Sequence, residues 1–198
     1  QAAEQAILSI IQTTYPNHNI LAEESGELII NHESEDRWII DPLDGTTNFI
    51  HAIPYFAISI ALRHKGEITA AVLYNPVTGD LYHAEKGKGA FVMTSSANKR
   101  LRVSGRHQLR DSLIGVTGLN AAGEKELLEK FAGRVSGIRH MGSTTLELAA
   151  VAAGQFDAFM TKGINLWDLA TGILFIREAG GKVMTLSGKT DIKDLIKP

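Results

Sequence analysis

The chain has 198 residues, 44% hydrophobic and 21% charged, which is enough for one globular domain with a substantial core. The formal net charge of -2 argues against nucleic-acid or membrane binding through bulk basicity, and the absence of cysteine excludes disulfides, thiolate catalysis and cysteine zinc sites. The sequence has no apolar run long enough to cross a bilayer and no opening signal peptide, so we expect a cytoplasmic protein.

The first half of the chain predicts one helix followed by strands. Apolar residues at helical spacing predict a helix over residues 1–14, which the breaker cluster Tyr15-Pro16-Asn17 ends. After a polar stretch over 23–37, the pattern predicts strands over 38–41, 55–63, 67–74, 81–84 and 90–93. The short turns between the later strands indicate an antiparallel meander.

The second half mixes helices with strands. We predict strands over 112–117, 156–160 and 182–186, and helices over 124–131, 144–153 and 168–179. This mixture, without a repeat or a linker, predicts one mixed α/β (α+β) unit of layered helices and sheets. Because nothing caps the first helix and no element closes the chain, we expect a single domain over 1–198 that lacks native residues at both ends.

The most informative segment is Asp41-Pro42-Leu43-Asp44, which follows a short hydrophobic strand. Two carboxylates held this close repel each other unless a cation binds between them or one takes up a proton. Hard oxygen ligands of this kind suit Mg²⁺ or Mn²⁺, and the Leu43 carbonyl is placed to add a neutral ligand.

Gly45-Thr46-Thr47 follows directly and offers close backbone approach and two hydroxyls. If a helix starts there, its free N–H groups form an anion site within one turn of the carboxylates. An isolated Asp-Gly-Thr is more often an ordinary Asx-capped turn, but the whole string from Trp38 to Phe49 favours a metal and phosphate site.

Two further acidic positions extend this site. Taken alone, Glu23-Glu24 is a solvated charge pair and Asp168 is a helix N-cap. If Glu23 and Asp168 converge with Asp41 and Asp44, their combined negative charge requires two or more divalent cations. That arrangement is typical of in-line phosphoryl displacement.

These motifs resemble the inositol monophosphatase family, among the lithium-sensitive, metal-dependent sugar phosphatases. The matching segments are WIIDPLDGTTNF at 38–49, WDLATGILFIREAGG at 167–181, AEES at 22–25 and KGKGAF at 86–91. Their order and spacing agree over nearly the whole chain. The resemblance implies a layered α-β-α-β-α sandwich, a homodimer, and a small phosphate ester as the bound molecule.

The resemblance also implies a role for each matching position. The implied ligands of two or three Mg²⁺ ions are Glu23, Asp41, the Leu43 carbonyl, Asp44 and Asp168. The implied catalytic residues are Glu23, Asp44 and Thr46, whose hydroxyl would help to polarise the attacking water. The implied substrate contacts are Asp44, Gly45, Thr46, Thr47, Gly142, Ser143, Thr144, Thr161 and Asp168.

The implied activity is Mg²⁺-dependent hydrolysis of inositol 1-phosphate or a related polyol or sugar phosphate, by two-metal activation of water. The chain departs from the family at three places. It lacks the upstream Asp that bonds the Thr46 hydroxyl, lacks a C-terminal strand and helix, and has Thr161 where inositol-specific members carry Glu.

Two kinds of alternative stay open. One keeps the chemistry and changes the substrate to fructose bisphosphate, histidinol phosphate or phosphoadenosine phosphate. The other is a regulatory protein that binds a macromolecule on the same scaffold. The intact carboxylate set disfavours a nucleic-acid or transcription partner without excluding it.

Overall fold

The structure is a computed structural model that describes residues 1–118, 121–185 and 187–189. Its helices are α1 Ala2–Thr14, α2 Thr46–Ile50, α3 Ala121–Phe131, α4 Thr144–Ala152 and α5 Leu166–Glu178, with a 3₁₀ turn at Leu109–Asp111. Its strands are β1 Asn19–Ala22, β2 Gly26–Leu28, β3 Asp36–Asp44, β4 Ala57–His64, β5 Glu67–Asn75, β6 Asp80–Glu85, β7 Gly89–Met93, β8 Asn98–Arg100, β9 Leu113–Thr117, β10 Gly137–Arg139 and β11 Ala158–Thr161. Among these described residues, no helix is long and apolar enough to cross a membrane.

The strands form two sheets of different character. The larger sheet has eight strands in the order β2-β1-β3-β4-β5-β6-β7-β8, and all its pairs are antiparallel except β1 with β3. The smaller sheet has three parallel strands in the order β10-β9-β11. The predicted antiparallel meander is therefore confirmed in β4 to β7.

Helices separate and cover these two sheets. Helix α1 packs Ile7, Leu8 and Ile11 on β1 and β3, while α4 and α5 lie on the opposite face of the large sheet. Leu127 of α3 packs against Ile114 and the other apolar residues of the small sheet. The order of layers is thus α-β-α-β-α, which confirms the expected sandwich.

Helix α4 lies inside the sandwich rather than on its surface. All nine of its residues are buried. A helix enclosed on all sides has no polar stripe, which explains the nearly continuous run of small and apolar residues from Leu148 to Ala152. Its first turn, at Thr144, faces the carboxylates described below.

Glu178, at the end of α5, connects two of the sequence motifs, KGKGAF at 86–91 and WDLATGILFIREAGG at 167–181. Its two carboxylate oxygens accept the backbone N–H groups of Gly87 and Gly89, each at 2.8 Å. The loop between β6 and β7 is therefore anchored to the helix that carries Asp168. This contact gives a physical reason for both motifs to occur in one chain.

The predicted elements are largely confirmed, with one wrong strand and four missed ones. Residues 182–185 lie in irregular structure, so the strand predicted over 182–186 is wrong for them, and Leu186 lies outside the described residues. The missed strands are β1, β2, β8 and β10, each only three or four residues long. Runs this short carry little periodicity for a sequence pattern to reveal.

Candidate metal centre

Three carboxylates meet where β3 ends and α5 begins. One oxygen each from Asp41, Asp44 and Asp168 lies within 4.8 Å of the others. Asp41 is 1% exposed and Asp44 is 7% exposed, so water does little to screen their charges. The fold therefore brings together three of the acidic residues that the sequence predicted as metal ligands.

Strand β3 delivers both Asp41 and Asp44. The sequence predicted that the strand would stop at Asp41. Instead β3 continues through Asp44, and its pairing with β4 shifts register between the two residues. A register shift of this kind is typical of a β-bulge.

Asp41 has the strongest electrostatic perturbation of the centre. Burial, the charges of Asp44 and Glu23 and a side-chain hydrogen bond with Glu23 raise the pKa of Asp41 to about 9, and the N–H of Leu43 partly opposes this. That N–H donates to Asp41 Oδ1 at 2.9 Å. A cation bound between these carboxylates would relieve the same repulsion.

Asp44 is held quite differently, by the first turn of α4. Its Oδ2 accepts the Ser143 hydroxyl at 2.6 Å and the Thr145 backbone N–H at 2.7 Å, and it also accepts the Thr145 hydroxyl. Its Oδ1 accepts the Thr144 N–H at 3.3 Å. These donors stabilise the ionised carboxylate and leave it little freedom to rotate.

Asp168 lies in the first turn of α5, and the helix N-cap is Asn165 rather than Asp168. Asp168 Oδ2 accepts the Asn165 backbone N–H at 3.0 Å. Burial raises the pKa of Asp168 to about 6, although this hydrogen bond acts to lower it. The charges of Asp44 and Glu23 add to the rise.

Glu23 follows directly after β1, next to the same centre. Its backbone N–H donates to the Ile40 carbonyl at 3.1 Å, and its carboxylate hydrogen-bonds with Asp41. The loop after it is fixed by Glu4 of α1, which accepts the Glu24 N–H at 3.0 Å and the Ser25 hydroxyl. Glu4 is 2% exposed, so helix α1 contributes a buried carboxylate that supports the Glu23 segment.

The predicted phosphate-contacting turn begins the short helix α2. Gly45 is its N-cap with φ of 92°, and a Cβ there would lie 3.0 Å from the Tyr55 carbonyl oxygen, so glycine is required. Thr46 and Thr47 are exposed beside the buried carboxylates. The Thr46 hydroxyl donates to the Leu43 carbonyl at 3.0 Å.

The remaining predicted site residues fall into two groups. Gly142, Ser143 and Thr144 lie at the start of α4, where Ser143 and Thr144 are buried and bond Asp44. Thr161 ends β11, where its hydroxyl is buried and has no hydrogen-bond partner among the described residues.

Four residues near the centre were missed by the sequence argument. They are Glu4, Asn48, Thr145 and Glu147, all buried. One signal was available for Glu147, a lone acid within the apolar run of α4. Burial raises the pKa of Glu147 to about 7, although hydrogen bonds from the N–H groups of Met141 and Gly142 act to lower it. The charge of Asp44 adds to the rise.

The donor set fits a divalent cation. Buried carboxylates that lie this close repel one another, and a bound divalent cation would balance their charge. All the candidate ligands are hard oxygens, and among the described residues no histidine joins the group. Mg²⁺ and Ca²⁺ prefer ligands of this kind.

Comparisons with known proteins agree with this chemistry. The model of the inositol monophosphatase family matches residues 1–197. The chain is 46% identical to an inositol-1-monophosphatase of Caulobacter vibrioides over 192 residues, covering 93% of this chain and 73% of that protein. It is 42% identical to a Nus factor SuhB of Pseudomonas aeruginosa over 197 residues, covering 95% of this chain and 71% of that protein.

A solved structure shows the same fold. The extragenic suppressor protein suhB of Bartonella henselae is 44% identical, with a TM-score of 0.90 over 98% of this chain and 74% of that one. Together with the family match over nearly the full length, this similarity shows that the chain belongs to the inositol monophosphatase family.

Proposed function

We propose that this chain hydrolyses small phosphate monoesters with the help of bound divalent cations. The observation that carries the proposal is the convergence of Asp41, Asp44 and Asp168 within 4.8 Å, with Glu23 bonded to Asp41. Family membership and the name of the Caulobacter relative support the same reaction class. The reaction is the transfer of a phosphoryl group to water.

The proposed cation is Mg²⁺, with two or three ions per site. Asp41, Asp44, Asp168, Glu23 and the Leu43 carbonyl would hold them, since all offer hard oxygen atoms. When bound, the ions supply Lewis-acid activation of water and neutralise the charge that develops on the phosphate and the leaving oxygen. One ion cannot balance this many carboxylates, which favours a multi-metal site.

The protein's own residues would orient the ester and the attacking water. Thr46, exposed and bonded to Leu43, is placed to hold the water, while Gly45 and Thr47 are placed to contact the phosphate. Glu23, with its exposed carboxylate, serves with Thr46 as the second water-positioning group. Asp44, fixed by the α4 donors, would keep the ligands in position.

The proposed substrate is inositol 1-phosphate or a related polyol or sugar phosphate. The Ser143 hydroxyl and the Thr144 N–H already bind Asp44, so we assign the substrate contacts of residues 142–144 to the polar groups that these bonds leave available. Thr161 is shorter than glutamate and uncharged, which favours broad specificity for the alcohol part of the ester. Asp44 and Asp168 would also face the substrate through the metal site.

The experiment is a panel of phosphate esters assayed with the complete protein and Mg²⁺. It includes inositol 1-phosphate, glycerol 2-phosphate, fructose 1,6-bisphosphate, histidinol phosphate and phosphoadenosine phosphate. We expect turnover of several monoesters, none in EDTA, and recovery on adding Mg²⁺. Undiminished turnover in EDTA, or none with any ester in Mg²⁺, would contradict the proposal.

We further propose a cytoplasmic homodimer that lithium inhibits, as the family resemblance implies. Analytical ultracentrifugation of the complete protein gives its mass in solution, and fractionation of cells that express it gives its location. Titration with LiCl at fixed Mg²⁺ tests the inhibition. A monomer, a membrane fraction or activity indifferent to lithium would each overturn the corresponding part.

A second candidate function is regulatory binding to a macromolecule, favoured by the name Nus factor SuhB of the Pseudomonas relative. An Asp41→Asn variant separates the two functions, because it removes a charged metal ligand at a buried position and leaves the outer surface intact. If this variant restores the growth of a strain that lacks the gene, the regulatory function carries the phenotype. If growth returns only with the native residue, hydrolysis carries it.

A further inference from the structure

The turn of Met141 and Gly142 is held from two sides by buried polar side chains. Asn48 of α2 donates from Nδ2 to the Met141 carbonyl and to the Tyr55 carbonyl, each at 2.8 Å. Glu147 of α4 accepts the N–H groups of Met141 and Gly142, the second at 3.2 Å. Asn48 is 7% exposed and Glu147 is fully buried.

This turn lies between the two halves of the candidate site. The Gly142 carbonyl oxygen would be 3.2 Å from a Cβ on Gly45, so the turn forms one wall of the proposed phosphate contact. The residues that follow it, Ser143 and Thr145, donate to Asp44. A shift of the turn would therefore move both the wall and the donors that fix Asp44.

The turn cannot hold its shape by side-chain packing of its own. Gly142 has φ of +85°, and a Cβ there would lie 2.8 Å from Asn48 Nδ2. Glycine gives the turn its shape but leaves the backbone free to adopt others. The contacts from Asn48 and Glu147 remove that freedom.

The burial of Glu147 in the middle of the sandwich requires a physical explanation. Burying a carboxyl group costs free energy that an apolar residue at the same place would not cost. Its Oε2 has no hydrogen-bond partner among the described residues, so Glu147 is not a fully satisfied structural acid. What it does provide is an acceptor for two N–H groups of the turn.

We propose that Asn48 and Glu147 are positioning residues of the phosphatase site, which act by fixing the Met141–Gly142 turn. The inference rests on the proposed function, because it assigns these residues to the same reaction. Neither residue needs to touch the substrate. They hold the backbone that sets the α4 donors on Asp44 and the Gly142 carbonyl against Gly45.

The test compares four variants of the complete protein. Glu147→Leu and Asn48→Leu remove the contacts while keeping similar volume. Glu147→Gln keeps an acceptor oxygen for the two N–H groups. Leu148→Ala is the control, since this neighbouring α4 residue is buried and its truncation destabilises the core without touching the turn.

Three quantities are measured at a temperature where every variant is fully folded by circular dichroism. They are kcat and KM for glycerol 2-phosphate, the Mg²⁺ concentration at half-activation, and the hydrogen exchange of the Met141 and Gly142 amides. We expect Glu147→Leu and Asn48→Leu to lower kcat by about 10- to 100-fold, with a smaller change in KM. Amide exchange at the turn should speed up in both, while Glu147→Gln should recover most of kcat and Leu148→Ala should keep it.

The inference is overturned if folded Glu147→Leu keeps the wild-type kcat and slow amide exchange. It is also overturned if Leu148→Ala loses as much kcat, because the loss would then follow stability and not position. If the wild type hydrolyses no ester at all, the proposed function fails separately. In that case the variants and the wild type are compared by amide exchange and by the Mg²⁺ concentration at the midpoint of a thermal-shift titration. If neither quantity changes in Glu147→Leu, the turn does not fix the metal centre.

Discussion

Asp44 Oδ2 accepts the backbone N–H of Thr145 at 2.7 Å, although 101 residues separate the two in the chain. The contact places a β3 carboxylate at the positive end of the α4 helix dipole. Asp41, on the same strand, accepts a backbone N–H from Leu43 alone among the described residues, and acids surround it. Two carboxylates three positions apart therefore have opposite electrostatic environments.

This contrast predicts different stabilities for two similar variants without metal. Asp44→Asn should lower the free energy of unfolding by about 2 kcal/mol or more, because it weakens several charge-assisted hydrogen bonds to α4. Asp41→Asn should leave it unchanged within about 0.5 kcal/mol or raise it, because burial and the neighbouring acids already disfavour a charge at this position. Urea unfolding in EDTA measures both.

The same two variants should be alike in activity. Each should lower kcat/KM by about 10²-fold or more, since each removes a charged metal ligand. A variant that unfolds while its Mg²⁺ response stays intact would assign that residue to structure alone. Equal losses of stability in both variants would contradict the contrast drawn from the hydrogen bonds.

Mg²⁺ should stabilise the folded protein in proportion to its occupancy of the carboxylates. At a concentration 100 times its dissociation constant, one bound ion raises the free energy of unfolding by about 2.7 kcal/mol. Differential scanning fluorimetry with increasing Mg²⁺ measures the shift, and Asp168→Asn should reduce it. Ca²⁺ should bind but support little turnover, because its longer and looser coordination positions the reactants poorly.

Glu4 should affect metal binding although it lies on helix α1. Glu4→Ala removes the acceptor for the Glu24 N–H and the Ser25 hydroxyl, so the Glu23 segment loses its support. We expect about tenfold weaker Mg²⁺ activation, typical of lost support for a metal ligand. Glu24→Ala is the matched control, since it keeps the backbone N–H that Glu4 binds. Identical Mg²⁺ titrations of Glu4→Ala and the wild type would show that the contact is not needed.

Asp157 should make stability depend on acid pH. Burial alone would raise the pKa of Asp157, but hydrogen bonds from Ser104 and the Leu113 N–H, and the contact with Arg106, outweigh burial and lower it. A carboxyl whose pKa is lowered by folding stabilises the protein above its unfolded pKa of about 3.9, and this contribution disappears as the pH falls through the folded value.

Asp157→Asn should therefore lower the free energy of unfolding by about 2 kcal/mol at pH 7. The difference from the wild type should shrink as the pH falls below about 4. Urea unfolding at several pH values tests this, with the exposed Asp111→Asn as the control. If the difference in free energy of unfolding between the wild type and Asp157→Asn is constant from pH 7 to pH 3, the ionisation of Asp157 does not contribute to stability.

Thr161 should influence which alcohol the site prefers. A glutamate there can accept charge-assisted hydrogen bonds from a polyol, each worth about 1.5–3 kcal/mol, whereas threonine makes one weaker contact. Thr161→Glu should raise kcat/KM for inositol 1-phosphate relative to glycerol 2-phosphate by about 10- to 100-fold. If the native protein already separates these two esters by several hundredfold, Thr161 does not determine selectivity.

The sequence by itself determined what lies close along the chain. Asp41 and Asp44 are three residues apart and so stay near each other along the chain, although a regular strand would point their side chains to opposite faces. The long elements were likewise predicted, because β5 and α5 each carry a full apolar pattern. Short strands such as β10 lack that pattern and form only because a neighbouring strand pairs with them.

Only the tertiary structure decided which distant groups serve the centre. Glu4 and Asn48 look ordinary in sequence, and even Glu147, a lone acid in an apolar helix, gives no indication of the backbone that it will bind. Their partners are set by how α1, α2 and α4 pack, and Asn48 reaches a carbonyl 93 residues away. Buried backbone N–H and C=O groups must be paired wherever the chain places them, and only the folded layers show which side chain meets that need.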